Sequence, residues 1–171
     1  MAFDPHRALD QIDWAILDVL QVEGRIPFSE LARRVSLSAP AVTERVRRLE
    51  EAGVIRGYRA EVDLKALGVG IEAIVRVRDA HNDAPRIRAA ISDRPEVLDC
   101  SHITGEDCWI VRVAVPSMER LEEVVGFLAG FGPPTTSLVF SSPVRNRAAT
   151  RELLDTVPAA PVIWPGRSRT A

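Results

Sequence analysis

The chain has 171 residues, 46% of them hydrophobic, enough for one or two small domains with packed cores. Its 22 Lys and Arg stand against 24 Asp and Glu, a formal charge of −2 with a pI near 6.0, which excludes a protein basic throughout and leaves nucleic-acid contact only to a local patch. Two cysteines, no signal-peptide pattern and no long apolar run read as a reduced, cytoplasmic chain with no membrane contact.

Residues 1–8 lack periodicity and read as an arm. From Asp10, the residues Ile12, Ile16, Leu17 and Leu20 mark one face of a first helix, with Asp10 and Asp13 suited to its positive N-terminal end. Trp14 reads as partly buried packing, with a partner interface as the alternative.

Next comes SELARRVSLSAPAVTERVRRLEEAG, Ser29 to Gly53. Leu31, Ala32 and Val35 form a narrow apolar stripe on a short helix that leaves Arg33 and Arg34 in water. A tight connection at Ser36-Leu37-Ser38 follows, and Ser38 stands where an N-cap is wanted with Pro40 in the first turn of a second helix. On that helix Val42, Val46 and Leu49 share one face while Glu44, Arg47, Arg48 and Glu51 point away, with Thr43 on the flank. Gly53 closes it. With the first helix packed across them, these two make a three-helix, helix-turn-helix head.

Such a helix fits the major groove of B-DNA, its N-terminal half meeting base edges. Ala39, Thr43, Glu44 and Arg47 are the candidates for reading bases; Arg33, Arg34, Arg45 and Arg48 suit phosphates; Ser38 and Pro40 complete the set at the leading end. The bland alternative is a solvated helix face in which these arginines pair with Glu44, Glu50 and Glu51. Charge is segregated in the way the DNA reading needs: Arg25 to Arg59 holds eight Arg against four Glu, a local +4.

Leu9-Asp10-x-x-Asp13, Ser29-Glu30-Leu31-Ala32, Leu37-Ser38, Arg45-Val46-x-x-Leu49-Glu50-x-x-Gly53-Val54-Ile55, Gly57-Tyr58, Leu67-Gly68 and Thr104-Gly105 form an ordered set. In that order they resemble the Lrp/AsnC (leucine-responsive/asparagine regulator) family of transcription factors across about residues 9–147. The resemblance implies a DNA-binding head joined to a ligand-sensing oligomerisation domain.

After Ile55 the period shortens to two, and Tyr58, Ala60 and Val62 predict a short strand leading into a linker at 63–68. Val69 to Arg78 then alternates, with Val69, Ile71, Ala73, Val75 and Val77 on a dry face. A helix opens at Asp83-Ala84-Pro85 and carries Ile87, Ala90 and Ile91; strands are expected over 97–104 and 108–115; Ser117 caps a helix with Leu121, Val124, Val125 and Leu128 inward; a last strand spans 135–142. The order βαββαβ predicts an α+β chain, a winged-type helix-turn-helix followed by a ferredoxin-like sandwich. The expected domains are 9–56 for the head, 57–68 for the linker strand, 69–147 for the sandwich and 148–171 for a tail. In that tail Leu153, Leu154 and Trp164 could dock on a neighbouring subunit.

Helices cover one sheet face and nothing in the chain is left for the other. Pairing Thr104 with Cys108 would set His102 opposite Ile110 and Cys100 opposite Arg112 on one side. That mixed side is expected to meet its copy in a two-fold dimer, or in a higher even-numbered oligomer, presenting two heads to double-stranded DNA.

The family's small-molecule pocket, usually for amino acids, implies an effector site at the turn Thr104-Gly105-Glu106-Asp107-Cys108-Trp109, with Thr136, Ser137 and Ser141 able to add hydroxyl contacts. A glycine turn with free N–H groups suits a carboxylate and a nearby acid suits an ammonium. Many members carry Asp-Tyr where this chain has Cys108-Trp109; an ordinary acidic hairpin is the alternative. Cys100, His102 and Cys108 lack the paired spacing of metal ligands, and no phosphate loop, nucleophile elbow or zinc-protease motif occurs, so neither catalytic residue, metal nor cofactor is expected. The other functional class is an enzyme: sirohaem decarboxylases resemble the same family but place His and aromatic residues at a tetrapyrrole site, and the few histidines here argue against it.

Overall fold

The computed structural model describes residues 9–78, 84–105 and 109–155. These divide into two compact units, one formed by the residues up to Ala60 with those from Asn146 onward, the other by Glu61–Arg145.

In the first unit α1 (Gln11–Val22), α2 (Phe28–Arg34) and α3 (Ala39–Glu51) form the head. Asp10 caps α1 through a capping box: its carboxylate accepts from the Ile12 and Asp13 amides at 2.9 and 2.8 Å, and Asp13 accepts back from the Asp10 amide at 3.2 Å. The apolar stripes meet in one cluster, Ile16, Leu17 and Leu20 against Leu31, Ala32, Val42, Val46 and Leu49. Each Ile, Leu or Val among them contributes about 1.5–3 kcal/mol on burial. Trp14 packs half-buried against that cluster. Returning to this unit near its end, the chain is held where the Gln21 amide donates to the Ala149 carbonyl at 3.0 Å and accepts from its N–H at 2.8 Å; α6 (Glu152–Asp155) follows.

The second unit is a four-stranded antiparallel sheet in the order β2-β3-β1-β4, built from β1 (Ile71–Val77), β2 (Val97–His102), β3 (Trp109–Val115) and β4 (Pro134–Leu138). Its inward residues Ala73, Val75, Val77, Trp109, Val111, Val113 and Val115 pack against Ile87 and Ile91 of α4 (Ala84–Ser92) and Leu121, Val124 and Leu128 of α5 (Met118–Ala129). This is the expected ferredoxin-like βαββαβ arrangement, following the helix-turn-helix head in the chain.

Two expectations are corrected. No strand forms over Tyr58 to Val62: both side chains are about half exposed and that stretch has no neighbouring strand, so alternation alone cannot make a ladder. The β2–β3 register differs by one place, with His102 opposite Trp109, Ser101 opposite Ile110 and Cys100 opposite Val111. β2 ends at His102 and β3 starts at Trp109, a longer connection than the tight hairpin expected, and a bulge interrupts the ladder between Val97 and Asp99. A one-residue slip moves every side chain to the other face. Cys100 and His102 therefore lie on the helix side, while Asp99, Ser101, Ile110 and Arg112 join Glu72, Ile74 and Arg76 on the open side.

Candidate functional site

The connection between α2 and α3 is compact because Ser36 adopts a left-handed φ of 55° and the Leu37 amide donates back to Ala32 at 2.9 Å. Ser38 Oγ accepts from the Ala41 amide at 3.4 Å, and Pro40 sits in the first turn. Sequence thus fixes where α3 starts and, through Val42, Val46 and Leu49, which face is hidden. Pro40, Thr43, Glu44 and Arg47 are left exposed and Ala39 half-buried at the leading end.

Thr43 Oγ1 donates to the Ala39 carbonyl at 2.9 Å, so its hydroxyl hydrogen is engaged within the helix while the residue stays exposed. Arg47 is held in a fork by Glu44 at 2.6 and 3.0 Å and also pairs with Glu51. That bonding, Glu44 first, raises the Arg47 pKa and lowers that of Glu44. Arg33 pairs with Glu30 at 2.7 Å; Arg34 reaches Glu30 at 3.2 Å and Glu23 at 2.5 Å. The hydrogen bonds from Arg33 and then Arg34 bring the Glu30 pKa down to about 2. Arg48, half-buried, makes no ion pair to any described residue.

Arg45, expected on a phosphate, stands elsewhere. Its guanidinium bridges Asp10 at 2.6 Å and the buried Asp13 at 2.7 Å, tying α3 to the cap of α1. Burial raises the Asp10 pKa, but the Asp13 amide and Arg45 outweigh it and the net shift is downward. The sequence pattern carried the i, i+3 and i, i+4 partners of Arg33, Arg34 and Arg47; it carried no signal for Glu23 on Arg34 or for the Arg45 bridge, which span 11 to 35 residues.

Of the expected effector residues, Thr104 and Gly105 are exposed at the end of β2, with Gly105 at φ +110°, a conformation open to glycine. Glu106, Asp107 and Cys108 lie outside the described residues. Trp109 is buried in the sandwich core, stacked by His102 at a centroid separation of 4.3 Å. Thr136 and Ser137 lie on β4, two strands beyond β3, and the exposed Ser141 lies past its end; the strand order separates them from the turn. Among the described residues no group of three or more His, Cys, Asp or Glu could hold a metal ion, and no helix is long and apolar enough to cross a membrane.

Comparison with known proteins agrees with this layout. Residues 9–56 match the description winged helix-turn-helix DNA-binding, and residues 72–149 match the Lrp/AsnC ligand binding domain. The chain is 35% identical over 133 residues to the HTH-type transcriptional regulator LrpC of Bacillus subtilis, covering 78% of this chain and 92% of LrpC. The solved LrpC structure superposes with a TM-score of 0.76 over 79% of this chain and 96% of that one. A Neisseria meningitidis transcriptional regulator solved as its L-Met complex gives a TM-score of 0.79 at 29% identity, covering 86% of this chain and 99% of that one. The feast or famine regulatory protein of M. tuberculosis complexed with L-methionine matches at 32% identity over 82% and 97% of the two chains.

Proposed function

Because the chain belongs to the Lrp/AsnC family of DNA-binding transcriptional regulators, we propose that it reads a specific operator and that an amino acid or related small metabolite alters its assembly or its DNA affinity. The observation that carries this reading is the ridge on α3, where Thr43, Glu44 and Arg47 stand exposed on a helix fixed from below by Val42, Val46 and Leu49. Arg47 suits guanine O6 and N7, Glu44 cytosine N4, and the Thr43 methyl a thymine. Arg33, Arg34 and Arg48 supply phosphate contacts, with Ser38, Ala39 and Pro40 at the groove edge. Arg45 braces the head from behind.

Amino-acid complexes of the Neisseria and mycobacterial regulators support an amino-acid effector, with Thr104 and Gly105 supplying backbone N–H groups to its carboxylate. Glu106, Asp107, Cys108, Trp109, Thr136 and Ser141 complete the proposed set, the last two coming from a neighbouring copy. The open sheet face with Ile74, Ile110 and Arg112 is where a second copy would dock. As a regulator of transcription the protein acts in the cytoplasm, beside the chromosome. Effector can act only through unequal affinity for the assembly states.

Selection of bound duplex from a random pool, repeated with a panel of amino acids that includes L-methionine, tests the reading. A recurring, partly palindromic site whose occupancy changes with one amino acid is the expected result. Recovery of unrelated sequences, unaffected by every amino acid, would overturn it.

A further inference from the structure

In the sandwich unit, the edge strand β2 and α4 enclose an open cleft of about 440 Å³. Its apolar lining includes Ile91, Val97 and Trp109. Two arginines, Arg88 and Arg94, line it, and Asp99 on the edge strand is the one acidic residue in the lining. Arg94 is steadied over the Phe127 ring, 3.9 Å from its centroid, while the exposed Arg88 has no ion-pair partner among the described residues. An independent observation concerns the same wall: Trp109 is 3% exposed, and its buried indole N–H has no acceptor among the described residues. Buried donors are normally satisfied, so an orphan of this kind asks for an explanation. His102, exposed and also lining the cleft, stacks on the face of that indole with the rings 20° apart.

We propose that the cleft binds a small aromatic carboxylate, its carboxylate paired with Arg88 and Arg94 and its ring on Ile91 and Val97. A ligand oxygen answers the Trp109 N–H once the stacked indole and His102 pivot together toward the cleft. Apolar walls with a few convergent polar groups are the usual composition of such sites, and the planar guanidinium fork suits a carboxylate. The site lies within one subunit and shares only Trp109 with the effector set at the turn, so it does not depend on assembly.

The test uses the full chain carrying Trp14→Phe and Trp164→Phe, which leaves Trp109 as its only indole. Emission and calorimetry are followed while 3-phenylpropanoate is added, with the uncharged 3-phenylpropanamide as control. Saturable binding with a change in Trp109 emission is expected for the carboxylate alone. In the same background Arg88→Gln should weaken it about tenfold or more, the loss of one charge-assisted pair. No saturable binding, equal binding of the amide, or an unchanged affinity in Arg88→Gln would each overturn the proposal. The response of DNA binding to L-methionine, measured beside it, separates the two readings: its retention with an empty cleft removes the cleft alone, and its absence with a filled cleft removes the amino-acid effector alone.

Discussion

Arg45 and Glu30 show how much a single guanidinium or carboxylate decides in the head. Arg45 sits between two aspartates, one of them buried, so Arg45→Ala leaves Asp13 without its cation and should cost about 1–3 kcal/mol. Urea unfolding reads this as a lower midpoint with unchanged slope; an unchanged midpoint would show that the bridge is inert. Glu30 is the pH-sensitive case. Its folded pKa of about 2 lies below the ordinary 4.5, so its contribution is fully present above 4.5 and is lost as pH falls towards 2. A carboxyl titration by NMR should place Glu30 near 2 in the native chain and closer to 4.5 in Arg33→Ala. The Glu30 pairs follow from helical spacing, but the Arg45 bridge does not: Arg45 and Arg48 look equivalent in the sequence, and only the fold puts one against Asp10 and leaves the other without an ion pair among the described residues.

Among the elements, α3 as the proposed reading helix carries its own restraint on DNA binding. Glu44 and Glu51 hold Arg47 in the free protein, and contact with a phosphate or base must exchange those bonds. Glu51→Gln should therefore tighten binding to random duplex at low salt while leaving the helix folded, as anisotropy titration would show; weaker binding would mean that the carboxylate has another role. The helices were legible because caps and period-3.6 stripes are local signals: Asp10, Ser38 and Ser117 each cap the helix their position suggested. β1 was legible from its alternation. The β2–β3 register was not, because it depends on a connection and a bulge that no period reveals, and Tyr58–Val62 failed as a strand because a ladder needs a partner that composition does not supply. Of the effector set, the strand order rather than any motif shows that Thr136 and Trp109 are not neighbours in one sheet.

For the whole molecule, the two compact units are a helix-turn-helix head with exposed arginines on α2 and α3 and a sandwich whose sheet turns Ile74, Ile110 and Arg112 to the face opposite its helices. Ile74 and Ile110 on that face, beside Glu72 with Arg145 at 2.7 Å and Arg112 at 3.8 Å, suit a matching copy, so light scattering should give an even multiple of 18.8 kDa. A monomer in solution would contradict it. The central claim is that α3 is offered to duplex DNA by its outer face, and counterion release makes that claim measurable. The direct measurement is the salt dependence of affinity for the selected duplex in the wild type, Arg47→Ala and Arg48→Ala. A steep loss of affinity with salt is expected, with weaker binding in both variants and a slope about one unit shallower for Arg48→Ala, the proposed phosphate contact. Wild-type affinity and slope in both variants would contradict it.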